Sequence, residues 1–249
     1  MRPLVDERPA GPEPALTVVI PAYNEEANVE ACHRELVGIL DAHGAPFEIL
    51  FVDDGSTDGT AAALRRLVQA DPRVRLLRLR QNAGQSAALD AGFRAARGAI
   101  VVTMDADLQN DPHDIPKLLA ALPGHDAVCG WRVDRQDPWT KRVASRVANR
   151  VRDRVTRDGV HDTGCSLKVF RREALGRLRL YRGMHRFLPA LLQMEGLLVA
   201  EVPVSHRPRR AGVSKYGNWQ RLWTGLADLW AVRWMARRRL RYEVEEEEP

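Results

Sequence analysis

The chain has 249 residues and carries a formal net charge of +5, which suits one sizeable α/β domain or one domain with an appendage. An apolar share of 45% is ordinary for a soluble globular protein. The excess of Lys and Arg points to an anionic partner (nucleotide phosphate, nucleic acid or acidic membrane) without choosing among them.

Residues 1–15 contain no apolar signal core and read as a disordered leader. Leu16 to Ile20 reads as a first strand ending at Pro21, followed by a helical pattern from Glu25 to Ala42 with Val29, Leu36 and Leu40. "FEILFVDDG" is a second strand running into Asp53, Asp54 and Gly55. Thr57 or Asp58 caps the helix "AAALRRLVQA". "VRLLRL" is a third strand, "GQSAALDAGFRAAR" a third helix, and Ala99 to Met104 a short buried strand. Further on, "HDAVCGWR" and "CSLKVF" read as strands, Trp139 to Thr156 as a basic helix, and "HRFLPALLQM" as a helix. "LLVAEVPV" is strand-like and leads into "SHRPRRAGVSKYG". There are no internal repeats. Cys32, Cys129 and Cys165 are too few and too scattered for a disulfide framework or a C-x-x-C metal site.

Regular alternation of strands and helices predicts a doubly wound, mainly parallel sheet. Ligands of such sheets bind beyond the carboxyl ends of the strands. "PAYNEE", "DDGSTDG", "QNAGQS" and "DADLQ" all fall at such ends.

Asp105 and Asp107 follow the fourth strand. Side chains two apart in extended chain share a face, so both carboxylates can address one object. Two like charges held together are unfavourable unless a cation or proton sits between them. A hard divalent metal meets that need, and Gln109 adds a neutral oxygen. The plainer reading is an acidic turn capping a helix that starts near Pro112.

"VVIPAYNEE", "FVDDGSTDGT", "QNAGQSAALDAGFRAARG", "MDADLQNDP" and "RPRRAGVSKYG" occur in this order across residues 16–217. The set resembles the family 2 glycosyltransferases, in particular the polyprenyl-phosphate branch that includes dolichol-phosphate mannosyltransferase. The resemblance implies a single Rossmann-like nucleotide-sugar-binding domain over residues 16–217. It also implies inverting transfer of a sugar from a nucleoside diphosphate to a lipid phosphate, a polyprenyl phosphate of the dolichol or undecaprenyl type, with Mg²⁺ or Mn²⁺ held by the D-x-D motif. By that resemblance Pro21, Ala22, Tyr23 and Glu25 surround the base and ribose, and Asp53 contacts the nucleoside. Asp54 and Gly55 shape the same turn, and Gly84 and Gln85 face the nucleotide. Asp105, Ala106, Asp107 and Gln109 form the metal and diphosphate segment. Arg209, Gly212, Ser214 and Lys215 match a phosphate-engaging R-x-x-G-x-S-K motif. Arg132, Lys141 or Arg142, and Ser145 fall where this branch places acceptor-phosphate residues. Asp162 matches an acidic residue near the reacting centre that orients the sugar or acts as a base.

The chemistry of the residue types agrees. Glycosyl transfer develops negative charge on the leaving group, which a metal and fixed cations stabilise. A phosphate acceptor has a second pKa of about 6 and needs cations rather than a base. The donor is left open between GDP-mannose and a UDP-sugar. Rival readings are a sugar-hydroxyl acceptor, which favours a carboxylate base, and a non-catalytic nucleotide- or membrane-binding module. No helix-turn-helix, zinc-finger or RNP pattern supports nucleic-acid binding.

The segment 218–241 is expected to be an amphipathic helix on the membrane surface, and residues 242–249 a solvated acidic tail. Trp219, Leu222, Trp223, Leu226, Leu229, Trp230 and Trp234 recur at helical spacing, and basic Arg237, Arg238, Arg239 and Arg241 follow. Asp228 and Arg233 interrupt it, so it is too broken to span. The alternative is a helix packed on its own domain or on a partner subunit, and a homo-oligomer is left open. The expected location is cytoplasmic and peripheral, at the inner face of the membrane.

Overall fold

The computed structural model of the chain describes residues 13–133, 159–208 and 218–239. The leader before residue 13, the expected basic helix at Trp139 to Thr156, the R-x-x-G-x-S-K motif and the acidic tail lie outside the described residues.

Apolar runs in the first half become strands β1 (Leu16–Ala22), β2 (Phe47–Asp53), β3 (Val74–Arg78) and β4 (Ile100–Thr103). The second half supplies β5 (Ala127–Arg132), β6 (Lys168–Arg171) and β7 (Val199–Val204). They form one seven-stranded sheet in the order β3-β2-β1-β4-β6-β5-β7. β2 and β4 flank β1 in parallel, and β7 lies parallel to β5. β6 runs against both β4 and β5. The chain winds outward from β1 in one direction as far as β3, then crosses back to β4. The β1/β4 junction is therefore the topological switch point, where open α/β sheets hold their ligands.

Both faces of the sheet are covered, so its central strands need no polar alternation. On one face α1 (Val29–His43), α2 (Thr60–Ala70) and α4 (Ile115–Ala120) pack Leu36, Leu40, Leu64 and Leu118 against Ile20, Ile49 and Phe51. On the other, α3 (Gln85–Ala95), α5 (Arg172–Gly176) and α6 (Leu188–Met194) pack Leu89, Phe93, Leu175 and Leu192 against Leu50, Val52 and Phe170.

The first helix starts later than its apolar pattern predicts, at Val29 rather than Glu25. Residues 25–28 form a turn instead: the Asn28 amide donates to the Glu25 carbonyl at 2.9 Å, and its side chain to the Glu25 carboxylate at 2.7 Å. "CSLKVF" contributes only Lys168–Arg171 to the sheet. "HRFLPALLQM" begins as a 3-10 turn, Met184–Phe187, before α6.

The last helix, α7 (Asn218–Arg238), packs Leu229 and Val232 against Met184, Phe187, Ala190 and Leu191. It docks on its own domain through that face. Trp230 and Trp234 stand outside at 69% and 63% exposure. The side chains of Trp219, Leu222, Trp223 and Leu226 are outside the described ones. Among the described residues no helix is long and apolar enough to cross a membrane.

Candidate active site

The polar ends of β1, β2 and β4 and the start of α3 meet over the switch point. The loops after β1 and β2 are stitched together. The Asn24 amide donates to the Ser56 hydroxyl at 3.0 Å, the Glu25 amide to the Thr60 hydroxyl at 2.8 Å, and the Gly59 amide to the Glu26 carboxylate at 3.0 Å. Asn24 takes a left-handed φ of 54°, which asparagine tolerates better than most residues.

The two aspartates after β2 do different work. Asp53 is fully buried, accepting from the Ser56 amide at 2.9 Å and from Arg78 Nε at 3.1 Å. Expected to contact the nucleoside, it lies outside the cleft lining and holds the turn. Asp54 faces the cleft and anchors the next loop. Its carboxylate accepts from the amides of Ala83 (2.8 Å) and Gly84 (2.9 Å) and from the Asn82 side chain (2.9 Å). Burial raises its pKa, and the two amides offset part of that rise. Gly84 has φ of 92° at the mouth of α3, a conformation open to glycine and costly for other residues.

A cleft of about 180 Å³ results. Of the expected nucleotide-sugar residues, Pro21, Ala22, Tyr23, Glu25, Asp54, Gln85, Asp105, Ala106 and Asp107 line it, whereas Asp53 and Gly84 do not. Asn82, also in the lining, was not expected. A second cavity, of about 230 Å³ against α3 and α5, holds none of the predicted residues.

Gln85, the first residue of α3, donates through Nε2 to Asp105 Oδ1 at 2.8 Å. The Asp105 amide reaches Asn110 Oδ1 at 3.3 Å, which also accepts from the Ser166 hydroxyl at 2.6 Å. Burial and the adjacent Asp107 push the Asp105 carboxyl up to about 6, against the pull of Ser166, Lys168 and Arg132. Asp107 accepts from the Gln109 amide at 3.2 Å. Between them Leu108 is held at φ of 61°, a strained conformation for a leucine, and such strain concentrates at functional sites.

This pair fits a divalent metal. Two carboxylates oppose each other's ionisation inside a half-buried cleft, and a cation between them removes the conflict. Among the described residues there is no cluster of three or more His, Cys, Asp or Glu that would hold a metal alone. That matches Mg²⁺-type ions, which take one or two carboxylates and complete their shell with substrate phosphates and water.

Arg132, expected among the acceptor-phosphate residues, ends β5. Its Nε and Nη2 donate to Asp162 at 2.6 and 3.0 Å, so the cation and the carboxylate expected near the reacting centre form one bidentate pair. Lys141, Arg142 and Ser145 lie outside the described residues, as do Arg209, Ser214 and Lys215. The chain enters the latter motif from Arg207, whose amide donates to the Gln109 carbonyl at 2.9 Å. The Arg207 guanidinium pairs with Glu35 (2.6 Å) and Asp111 (2.7 Å). Lys168, 3% exposed on β6, donates to the Cys165 carbonyl and is a cation near Asp105 that the sequence did not single out.

A family model described as Glycosyl transferase family 2 matches residues 17–179. Dodecaprenyl-phosphate galacturonate synthase of Rhizobium johnstonii is 37% identical over 232 residues, covering 91% of this chain and 68% of that protein. The chain belongs to glycosyl transferase family 2. This glycosyltransferase is also 39% identical over 204 residues to undecaprenyl-phosphate 4-deoxy-4-formamido-L-arabinose transferase of Edwardsiella ictaluri, covering 81% of the chain and 63% of the relative. It spans about two thirds of the length of these curated relatives. In fold, the glycosyltransferase superposes on the mannosyltransferase PcManGT of Pyrobaculum calidifontis, solved with GDP-Man and Mn²⁺, with a TM-score of 0.64 at 23% identity. That match covers 93% of this chain and 66% of the other. Glucosyl-3-phosphoglycerate synthase of Mycobacterium tuberculosis, solved with Mn²⁺, UDP-glucose and phosphoglyceric acid, gives 0.68 at 22% identity, covering 90% and 79%.

Proposed function

We propose that this family 2 glycosyltransferase moves a sugar, with inversion, from a nucleoside-diphosphate sugar to a polyprenyl phosphate at a membrane surface. The observation that carries the reading is the position of Arg132, a fixed cation on the far side of the Asp105–Asp107 pair from the nucleotide loops. It is near enough to Asp105 to pull that carboxyl's pKa down. The names of the relatives, which act on dodecaprenyl and undecaprenyl phosphates, support the same acceptor.

Pro21 to Glu25 and Asp54 would enclose the base and ribose. Asp105 and Asp107, with Gln109 beside them, would hold Mg²⁺ or Mn²⁺ on the diphosphate. Bound there, the cation would neutralise charge on the departing nucleotide. Gln85 orients Asp105, and Arg209 and Lys215 would add positive charge to the leaving group from the motif that follows Arg207. The acceptor phosphate is already an anion and would need a cation to approach the diphosphate. The hydroxyl-acceptor alternative is disfavoured, because both oxygens of Asp162 are engaged by Arg132.

Arg132→Ala should therefore raise the KM for polyprenyl phosphate by about 10- to 100-fold, the loss of one charged hydrogen-bond donor, with little change in nucleotide-sugar KM. An unchanged acceptor KM in steady-state assays of the purified protein would remove Arg132 from the acceptor site.

The membrane contact is assigned to α7. Its Leu229 and Val232 are spent on the domain. The exposed Trp230 and Trp234, four apart, lie on one outward stripe of the helix. A tryptophan ring is apolar while its N–H seeks a polar partner, which suits the bilayer interface. Arg237 and Arg238 close the helix and would each add about 1 kcal/mol near an anionic leaflet. Replacing Trp230 and Trp234 by Ser should release the protein from anionic liposomes in a flotation assay, with nucleotide binding retained. Flotation equal to the parent would leave the stripe without this role.

A further inference from the structure

We infer that Glu201 and His161, acting through Asp162, fix the guanidinium of Arg132 for the acceptor phosphate, and that Asp162 is a positioning residue rather than the base of the transfer. The inference rests on the proposed lipid-phosphate acceptor.

Glu201 lies on β7, in register with Cys129 of β5. Its Oε2 accepts from both the amide and Nδ1 of His161 at 2.8 Å, and its Oε1 from the amide of Asp162 at 3.2 Å. One carboxylate thus pins two successive residues. Those two residues reach two successive residues of β5. The His161 ring stacks on Trp131 with centroids 4.5 Å apart and planes 20° from parallel. Asp162 takes Nε and Nη2 of Arg132, and the Arg132 amide donates to it at 3.3 Å. Neighbours on a strand point to opposite faces, so the 161–162 segment grips the end of β5 from both sides.

The loop is shaped to this grip. The Gly164 amide donates to Asp162 Oδ1 at 3.1 Å, and a Cβ on Gly164 would come within 2.9 Å of Arg132 Nη2. The Asp162 side chain is 6% exposed and that of Arg132 15%. Among the described residues, at least four donors occupy the two oxygens of Asp162. A carboxylate so filled is aimed at the guanidinium, and a proton taken from an acceptor would have to displace one of those bonds. A phosphate nucleophile asks for no such proton transfer. Nη1 of Arg132 makes no hydrogen bond among the described residues, which leaves that edge of the planar fork for phosphate oxygens. Held at both Nε and Nη2, the fork has little rotamer freedom left to lose when the phosphate arrives.

The test is steady-state transfer of labelled sugar to polyprenyl phosphate by the full chain, with acceptor varied at saturating donor. Thermal midpoints are read on every variant. Glu201→Gln turns one acceptor oxygen into a donor facing N–H groups, and should raise acceptor KM about tenfold, with kcat within about twofold and donor KM unchanged. Asp162→Asn should raise acceptor KM further, by about a hundredfold, with the lost activity returning as acceptor is added. If Glu201→Gln fails to fold, His161→Ala, at a largely exposed side chain, carries the question, with a rise of about threefold expected for the lost brace. An acceptor KM unchanged in a folded Glu201→Gln or His161→Ala protein overturns the brace. A loss of kcat in Asp162→Asn by about 10³-fold that no acceptor concentration restores makes Asp162 the base and overturns its positioning role. Absence of transfer by the parent protein overturns the acceptor itself, and this assignment with it.

Discussion

Asp107→Asn is expected to lower turnover by at least about a hundredfold while leaving the fold intact, since a metal's stabilisation of developing charge is worth several kcal/mol. Asparagine keeps the side chain's shape and an oxygen for the Gln109 amide, which Asp107 now accepts at 3.2 Å. What it removes is half of the negative charge that the cleft presents with Asp105. Burial and the adjacent Asp107 push the Asp105 carboxyl up to about 6, and a bound cation would relieve that conflict. Chelation of the parent protein should have the same effect as the substitution, and added Mg²⁺ or Mn²⁺ should reverse it. Full transfer in excess EDTA, or an Asp107→Asn protein with parental kcat, would show that the pair is only a turn.

Arg209→Ala and Lys215→Ala should each cost about 10²–10³-fold in kcat, the usual loss when one fixed stabiliser of growing negative charge is removed. The departing nucleoside diphosphate gains charge as the glycosidic bond breaks, so these cations act more strongly in the transition state than on the bound donor. Donor KM should accordingly move much less than kcat. Arg207 is tied to the Gln109 carbonyl and to Asp111, and His206 bridges to Asn110, so the described chain ends its approach to the motif beside the D-x-D loop. A change of less than threefold in kcat for both variants would assign the motif to something other than the leaving group.

The first half of the fold was legible because its strands are buried on both faces and read as plain apolar runs, each closed by polar residues at the carboxyl end. The winding order of β3, β2, β1 and β4 follows from that alternation. The antiparallel entry of β6 between β4 and β5 does not, since four residues, Lys168–Arg171, carry no sign of which edges they join. The cleft lining was legible as a set of motifs, but the division of labour within "VDDG" was not. Asp53 and Asp54 are adjacent and alike, and only the geometry sends one to Arg78 on the neighbouring strand β3 and the other to the amides of Ala83 and Gly84. Asn82, Asn110, Glu201 and Lys168 escaped notice for a related reason. Each acts by a long-range hydrogen bond or charge, and no local spacing announces such a partner. The C-terminal helix was read as apolar on one face. Its buried face instead runs through Leu229 and Val232, with Trp230 and Trp234 turned outward, because Met184 and Phe187 of the 3-10 turn offer the domain side a hydrophobic seat.

The most direct measurement is transfer itself. The purified protein is incubated with Mn²⁺ or Mg²⁺, with a panel of radiolabelled GDP- and UDP-sugars, and with either polyprenyl phosphate or the corresponding polyprenol, and the label is then partitioned between water and organic solvent. The account predicts that label from at least one nucleotide sugar enters the organic phase with polyprenyl phosphate, that none does with the polyprenol, and that EDTA stops it. Label that stays in the aqueous phase for every donor, or that follows the polyprenol as readily as its phosphate, would contradict it.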